Sequence, residues 1–318
     1  MNIGIIGCGR WGSFLAWYLD RVGHNVKLYG RETSGHMRQL LDTRSNGLLT
    51  LPESVALTTE LSQAVKVELF IISVNSQGLR SLMRELTAFN IAGKPIVLCM
   101  KGLEIETGKR LSEIVSEYAP GNFSTAVWLG PGHVQEFYGG IPNCMVIDSE
   151  DEALKGSLVT AFSSDLIRFY YGQDMLGNEI GAAAKNVIGI AAGMLDGLGL
   201  PTLKGALTSR GTLEISRLIQ AMGGNALSAY GLCHLGDYGA TVFSRYSHNR
   251  RYGEAFVRGE AYGELAEGVY TVKALLTLGE RYHVELPICS AVYDALYSNV
   301  DPMEAIGRLF ARSLKPEF

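Results

Sequence analysis

The first residues of the chain restrict its fold more than any other stretch does. Residues 2–7 read NIGIIG, a short apolar run typical of a buried strand. Residues 13–23 (SFLAWYLDRVG) place apolar side chains at helical spacing and end on a glycine. Between the two stands GCGRWG at 7–12. The chain therefore begins with a strand, a glycine-rich turn and a helix, which is how a parallel α/β domain starts.

The three glycines of that turn, Gly7, Gly9 and Gly12, follow the spacing Gly-x-Gly-x-x-Gly. This spacing permits a tight turn, lets a pyrophosphate approach the backbone and allows close packing of helix on strand, with the helix N-terminus directed at the phosphates. The position between a strand and a helix favours dinucleotide binding. The alternative is an ordinary glycine-rich connection.

Strand and helix patterns alternate along the first half of the chain. We predict strands at 25–29, 67–74, 95–100, 125–129, 144–147 and 166–171, with helices near 34–43 and 151–163. Such alternation indicates a parallel, doubly wound sheet, in which ligands bind beyond the carboxyl ends of the strands. Three residues that directly follow strands, Asn75, Lys101 and Gly130, should lie at that edge. A lysine directly after a buried strand favours a role in ligand contact for Lys101.

The strand at 25–29 should end where the adenosine ribose of a dinucleotide binds. There the chain reads Gly30-Arg31-Glu32. An acidic residue would suit a free 2′-hydroxyl, whereas arginine suits a 2′-phosphate. Arg31 thus favours NADP over NAD, with NAD left open because Glu32 is adjacent and Arg31 could be a solvated charge.

From Gly177 onward the apolar spacing is helical almost to the end of the chain. We therefore predict two domains, a dinucleotide-binding domain at 1–175 and an all-helical domain at 176–318. The length of 318 residues is ample for a core in each.

The first long helix of the second domain places one lysine, Lys185, in a run of small and apolar residues, GNEIGAAAKNVIGIAAGMLDGLG at 177–199. A helix that is apolar most of the way round is normally buried. Burial disfavours a charged amine, lowers its pKa and suits it to general acid/base chemistry. The alternative is that the stem lies along apolar surface while the ammonium reaches water at a cleft.

A second polar stretch, GDYGATVFSRYSHNRRYG at 236–253, gathers hydroxyls, amides and guanidiniums with few aliphatic residues. Such a set is what an anionic phosphate requires. A solvated surface loop would have a similar composition.

Composition excludes several classes of partner. The net charge of −4 provides no basic field for nucleic acid or an anionic membrane. The five cysteines are widely spread in apolar surroundings, which indicates reduced thiols in a cytosolic protein, and no Cys/His cluster predicts a metal. Charged residues interrupt the most apolar helix, so we expect no stable membrane insertion. No basic region precedes an apolar signal-peptide core.

Together these stretches resemble the NAD(P)-dependent glycerol-3-phosphate dehydrogenases over nearly the whole chain. The matching segments, besides GCGRWG and the Lys185 helix, are KGLE at 101–104, LGPG at 129–132, TSRG at 208–211, LGDYGAT at 235–241, SHNRRYG at 247–253, Glu267-Gly268-Val269 and LPICSAVYDALY near the end. The resemblance implies a Rossmann domain followed by a helical domain, with the active site between them.

The resemblance also implies residue roles. Lys185 matches the proton-exchanging lysine, Asn186 the asparagine beside it, and Lys101 a lysine that contacts cofactor and substrate; Lys101 and Asn186 would polarise the reacting oxygen. Asp237 would hold Lys185 or the substrate. The other cofactor positions are Arg10, Trp11, Arg31, Val134 and Glu267, and the other substrate positions are Gly130, Thr241, Ser247 and Asn249, with His248 and Arg250 as candidates for the phosphate.

Some positions depart from the family pattern. The family usually reads Ser-Arg-Asn-Arg where this chain has Ser247-His248-Asn249-Arg250, so a histidine replaces an arginine expected at the substrate phosphate. Gly132, His133 and Asn75 replace a serine, a phenylalanine and a proline, and Pro201-Thr202-Leu203 replaces a glycine-x-asparagine segment. A histidine lacks the fixed bidentate donor of arginine, so the phosphate contact should be weaker.

The resulting prediction is an oxidoreductase that interconverts sn-glycerol 3-phosphate and dihydroxyacetone phosphate with NADP or NAD. By resemblance, the product would feed phospholipid synthesis, and a homodimer is a candidate assembly. Two alternatives remain at this point: a dehydrogenase of the same fold for another small hydroxy or keto compound, and a dinucleotide-binding sensor without catalysis. The lysine-asparagine pair argues against the sensor, which has no chemical use for a buried amine.

Overall fold

A computed structural model describes residues 1–118, 123–314 and 316–317. The chain divides into two compact units, one of Met1–Lys101 with Arg110–Met175, the other of Gly102–Lys109 with Leu176–Phe318. The predicted boundary after residue 175 falls at the same junction. The segment Gly102–Lys109 lies within the range predicted for the first domain, and its contacts group it with the second unit.

The first unit is built on one eight-stranded sheet in the order β3-β2-β1-β4-β5-β6-β7-β8. The strands are β1 Asn2–Ile6, β2 Asn25–Tyr29, β3 Ala56–Thr58, β4 Leu69–Ile72, β5 Ile96–Leu98, β6 Thr125–Leu129, β7 Asn143–Ser149 and β8 Ile167–Tyr171. The order reverses between β1 and β4, and the crevice at such a switch point is where doubly wound sheets bind dinucleotides. The predicted α/β class is confirmed.

Two features of the sheet differ from the prediction. Strand β7 runs antiparallel to β6, with Trp128 opposite Ile147, so the sheet is mostly rather than wholly parallel. The connection between them holds only a five-residue helix, too little to cover the sheet in a full crossover. Strand β3 falls where the sequence analysis predicted no strand, because its three residues are not fully buried and provide no apolar run.

Helices cover the sheet of the first unit. They are α1 Arg10–Arg21, α2 Gly35–Thr43, α3 Leu61–Ala64, α4 Leu79–Leu86, α5 Leu111–Tyr118, α6 Val134–Tyr138 and α7 Glu152–Phe162, with a 3-10 turn at Ser76–Gly78. Helix α1 buries Phe14 and Tyr18 in an aromatic core with Trp128 and Phe162. The Tyr18 hydroxyl donates to the Phe162 carbonyl oxygen at 2.5 Å, which satisfies the polar end of a buried ring.

The second unit is helical, and no strand occurs among the described residues of 176–318. Its helices are α8 Met175–Gly197, α9 Lys204–Ala221, α10 Tyr238–Thr241, α11 His248–Arg258, α12 Gly268–Arg281, α13 Pro287–Tyr297 and α14 Pro302–Phe310, with 3-10 turns at Pro201–Leu203, Ala226–Tyr230 and Leu235–Asp237. Helix α8 is buried continuously from Gly177 to Leu195. It is therefore the central element of this unit, as its composition predicted.

Helices α8 and α11 approach so closely that only glycine fits between them. A Cβ atom at Gly193 would lie 1.8 Å from the carbonyl oxygen of Arg250, and one at Gly253 would lie 2.1 Å from that of Ile190. Gly189 and Gly197, one turn before and after Gly193, would meet Thr241 and Val257 at 2.8 and 2.2 Å. This glycine contact fixes the position of the polar stretch at the start of α11.

Candidate functional site

The glycines of the turn after β1 have two kinds of role, one structural and one facing a ligand. Gly7 has a φ of +114°, and a Cβ there would lie 2.1 Å from the carbonyl oxygen of Ser73. A Cβ at Gly12 would lie 1.8 Å from the carbonyl oxygen of Gly7. Gly9, by contrast, has no atom within 4 Å of its Cβ position. The first and third glycines let the turn and the helix pack, while the second leaves open space at the N-terminus of α1 that a pyrophosphate fits.

This open space leads to a prediction for Gly9→Ala. We expect the variant to fold normally but to bind NADPH about tenfold more weakly, a loss of about 1.4 kcal/mol, because the added methyl group enters space that a pyrophosphate needs. Fluorescence titration with NADPH measures the affinity, and circular dichroism checks the fold. Gly12→Ala is the matched comparison and should fail to fold stably. Undiminished NADPH affinity in Gly9→Ala would contradict the assignment.

Three other predicted cofactor residues of the first unit lie near this turn or in the core. Arg10 is exposed at the start of α1. Trp11 is partly buried, with its ring centroid 5.0 Å from that of Phe14 and 6.3 Å from that of Phe137. Val134, at the start of α6, is buried in the same cluster. Arg10 therefore offers an exposed charge, whereas Trp11 and Val134 offer apolar surface.

Arg31 lies just beyond the carboxyl end of β2, the strand that pairs with β1. Its side chain is 61% exposed, and its Nη2 lies 3.4 Å from the Glu85 Oε1. An exposed ion pair of this kind contributes little energy. The guanidinium can therefore exchange this contact for an anion at small cost.

Lys101 and Gly130 meet at the carboxyl edge of the sheet. Lys101 follows β5 and Gly130 follows β6, and the Lys101 Nζ donates to the Gly130 carbonyl oxygen at 2.6 Å. Gly130 has a φ of +126°, a conformation that favours glycine. Nearby Gly132, a departure from the family pattern, also has a positive φ, and a Cβ there would lie 2.1 Å from the Phe137 ring. The local backbone thus requires glycine where the family has serine.

In the second unit, three predicted residues form one buried cluster. Lys185 is only 8% exposed, and its Nζ lies 2.9 Å from the Asp237 Oδ2 and donates to the Thr241 Oγ1 at 2.7 Å. Asp237 and Thr241 are fully or almost fully buried, and Asn186 is buried beside Lys185 on α8. Desolvation favours a neutral amine, whereas the adjacent carboxylate favours the ammonium. An amine held between these opposing effects is suited to gaining and losing a proton.

The loop that carries Asp237 can reach α8 because Gly181 lacks a side chain. A Cβ at Gly181 would lie 2.9 Å from the Cβ of His234. A side chain at position 181 would therefore push this loop away from the helix. The 3-10 turn Leu235–Asp237 and α10 then present Asp237 and Thr241 to the lysine.

The residues at the start of α11 have more structural contacts than their composition suggests. Ser247 is the N-cap and accepts from the backbone N–H of Arg250 at 3.3 Å. Asn249 accepts from the backbone N–H of Gly268 at 2.9 Å through its Oδ1, which links α11 to the start of α12 beside Glu267. Both side-chain oxygens therefore accept a backbone N–H, while the Ser247 hydroxyl hydrogen and the Asn249 amide nitrogen can still donate to an anion.

Arg250 is held by carboxylates. Its Nη1 lies 2.5 Å from the Asp196 Oδ2 and 3.2 Å from the Glu254 Oε2, and its Nε donates to the Ser244 carbonyl oxygen at 3.1 Å. These contacts engage Nη1 and Nε, so a phosphate contact by the guanidinium would be made through Nη2. His248 has a different environment, with its Nδ1 2.7 Å from the Tyr262 hydroxyl. Of the two candidates for the phosphate, Arg250 thus contacts carboxylates and His248 contacts a phenol hydroxyl.

Sequence reasoning missed several residues that organise this unit. Asp196, Glu254 and Tyr262 hold the two phosphate candidates, and His234 contacts the Lys185 helix. The spacing of Arg250 and Glu254, one helical turn apart, was the one local signal available. The other partners lie far apart in sequence and follow no motif.

The described part of the chain contains no group of three His, Cys, Asp or Glu side chains arranged to hold a metal ion. The same residues include no helix with the length and apolar character needed to cross a bilayer.

Comparison with known proteins places these features in a family. The model of the NAD-dependent glycerol-3-phosphate dehydrogenase N-terminus matches residues 2–155, and that of the C-terminus matches residues 174–307. The chain belongs to this family. It is 35% identical over 333 residues to glycerol-3-phosphate dehydrogenase [NAD(P)+] of Pelodictyon phaeoclathratiforme, covering 100% of the chain and 99% of the relative. Identity to the enzyme of that name from Bradyrhizobium sp. is 38% over 323 residues, covering 99% and 98%.

Solved structures agree with this membership. The crystal structure of glycerol-3-phosphate dehydrogenase from Coxiella burnetii superimposes with a TM-score of 0.91 at 28% identity and covers 98% of this chain and 99% of that one. D-mandelate dehydrogenase in its ternary structure shares the fold, with a TM-score of 0.68 at 14% identity. The glycerol-3-phosphate dehydrogenase family therefore matches this chain in both units, as the sequence resemblance predicted.

Proposed function

We propose that this protein interconverts sn-glycerol 3-phosphate and dihydroxyacetone phosphate with NADP(H) or NAD(H). The observation that carries the proposal is the buried Lys185–Asp237–Thr241 cluster in a chain that matches both halves of the dehydrogenase family. A buried ion pair costs free energy to desolvate. The presence of one on an apolar helix therefore favours a chemical role for Lys185 and Asp237 over a stabilising role.

In this proposal, Lys185 moves the proton. Its ammonium donates a proton to the ketone oxygen at carbon 2 during reduction, and its amine accepts the hydroxyl proton during oxidation. The nicotinamide supplies or accepts the hydride when it is bound. Asp237 keeps the amine oriented and compensates the ammonium charge, and the Thr241 hydroxyl oxygen accepts a second hydrogen bond from it. Lys101 and Asn186 would polarise the same oxygen, and Gly130 would border the substrate beside Lys101.

The start of α11 is the proposed position of the substrate phosphate. Three features support this position: the N-terminus of α11, which Ser247 caps, the Asn249 amide and the His248 ring. Arg250 would contact the phosphate through Nη2, because Asp196 and Glu254 engage its Nη1. Glu267, next to the Asn249–Gly268 contact, remains a proposed cofactor position.

The activity is tested by following NADPH and NADH oxidation at 340 nm with dihydroxyacetone phosphate. We expect turnover with this substrate and at least about a hundredfold lower kcat/KM with unphosphorylated dihydroxyacetone, because the phosphate contacts are lost, at about 1.4 kcal/mol for each factor of ten. Pyruvate and related keto acids are the comparison panel. Preference for a keto acid would favour the same-fold alternative, and cofactor binding without any turnover would favour the sensor.

The choice of cofactor is tested with Arg31→Ala. We expect the NADPH affinity to fall about tenfold or more, because a charge-assisted hydrogen bond to the 2′-phosphate contributes about 1.5–3 kcal/mol, while the NADH affinity stays unchanged. Arg38→Ala removes a second exposed cation from the same region and is the matched control. Equal effects of Arg31→Ala on the two cofactors would contradict a contact to the 2′-phosphate.

We further propose that the glycerol 3-phosphate formed supplies phospholipid synthesis in a reducing, cytosolic compartment. The family membership supports the first part, and the wide spacing of the five cysteines along the chain is consistent with the second.

A further inference from the structure

We propose that His234 is a positioning residue for the proton-exchanging pair: it ties the loop bearing Asp237 to the turn of α8 bearing Lys185. This inference rests on the proposed function. It assigns a role to a side chain that neither the glycine motif, the lysine helix nor the polar stretch of the sequence brought to attention.

His234 is fully buried, and both nitrogens of its ring have partners. The Nδ1 lies 2.8 Å from the carbonyl oxygen of Gly181, and the Nε2 lies 2.7 Å from the Tyr238 hydroxyl. A carbonyl oxygen can only accept, so the Nδ1 carries the proton and the Nε2 accepts from Tyr238. Burial lowers the pKa of His234 to about 4, which keeps this neutral tautomer at pH 7.

The carbonyl that His234 contacts belongs to the turn that presents the lysine. In an α-helix, the carbonyl oxygen of Gly181 accepts from the backbone N–H of Lys185. The imidazole therefore adds a second donor to the same oxygen. The Gly181 position is also where the loop comes closest, since a Cβ there would lie 2.9 Å from the His234 Cβ.

The groups that contact the Lys185 amine, Asp237 and Thr241, follow His234 in the chain. Asp237 lies at the end of the 3-10 turn that follows His234, and Tyr238 begins α10, which ends at Thr241. The Tyr238 ring is packed edge-on against the imidazole at a centroid distance of 4.9 Å. The neutral His234 side chain thus connects the start of the Asp237 loop to the backbone of α8 one turn before Lys185, and it contributes no charge of its own.

His234→Leu tests this role because it removes the donor while retaining an apolar side chain of moderate size. We expect kcat with dihydroxyacetone phosphate to fall about tenfold to a hundredfold, since small misplacements of reacting groups have effects of this order. The KM for NADPH should stay within about twofold, because His234 belongs to the unit that lacks the glycine turn. All variants are assayed at a temperature where circular dichroism shows them folded.

His234→Asn is the rescuing variant. Its side-chain amide can reach the position of Nδ1 and donate to the Gly181 carbonyl oxygen, so we expect kcat within about threefold of the wild type. If His234→Leu keeps the wild-type kcat, or if the Asn variant loses as much activity as the Leu variant, the proposal is overturned.

A readout without substrate separates this inference from the proposed function. With ¹³Cε-labelled lysine, the Lys185 resonance, assigned by its loss in Lys185→Met, should move in His234→Leu and return towards its wild-type position in His234→Asn. This result is expected even if the wild type shows no turnover with dihydroxyacetone phosphate. Such a lack of turnover would contradict only the proposed function. An unchanged chemical shift of the Lys185 resonance in His234→Leu would contradict only the positioning role.

Discussion

Lys185→Met is expected to lower kcat with dihydroxyacetone phosphate by about a hundredfold to ten-thousandfold, the range typical of losing a general acid/base. The KM for NADPH should change little, because the glycine turn and Arg31 are untouched. The variant should also lose about 3–5 kcal/mol of unfolding free energy, since the Asp237 carboxylate would stay buried without its cation. Steady-state kinetics and guanidinium denaturation measure the two effects.

A double variant separates chemistry from stability in this experiment. Lys185→Met with Asp237→Asn removes both charges, so most of the lost stability should return, because replacing a whole buried pair is often close to neutral. The turnover should not return, because no group remains to exchange the proton. Recovery of activity together with stability would show that Lys185 acts only through the fold.

Gly193→Ala is expected to destabilise the second unit by about 3 kcal/mol or more, at the upper end of overpacking effects. The added methyl group would lie 1.8 Å from the carbonyl oxygen of Arg250, and neither helix backbone can move without opening the α8–α11 contact. Guanidinium denaturation followed at 222 nm should report a lower midpoint. A shift of α11 would also displace Ser247 and Asn249, so kcat/KM should fall in the protein that remains folded.

The matched control is Gly205→Ala, on α9 of the same unit. No atom lies within 4 Å of its Cβ position, so alanine should stabilise the protein by about 0.4–1 kcal/mol through the lower entropy of the unfolded chain. Comparable destabilisation by both substitutions would mean that helix–helix contact does not explain the effect at Gly193.

The sequence allowed prediction of those parts of the fold that depend on local pattern. The strand, glycine turn and helix at the N-terminus required no distant information, because glycine spacing and apolar periodicity are local. It did not reveal β3, whose short strand is stabilised by pairing with β2 rather than by its own apolar run. Nor did it reveal the direction of β7, since an apolar run reads the same parallel or antiparallel.

The same division holds in the site. An apolar helix with one lysine predicted that Lys185 is buried, and it is. The composition of the polar stretch at 236–253 predicted a set of anion-binding groups, but it could not tell which of those groups already have partners. Arg250 is engaged by Asp196, on the far end of α8, and His248 by Tyr262, beyond the end of α11.

By itself, then, the sequence determined the class of fold, the family and the identity of the amine, because periodicity, glycine spacing and motif are properties of neighbouring residues. Only the tertiary structure decided which groups surround that amine and which cations are already paired. Most of those contacts join segments that are tens of residues apart, and their energies depend on distance and burial, which are set when the helices pack.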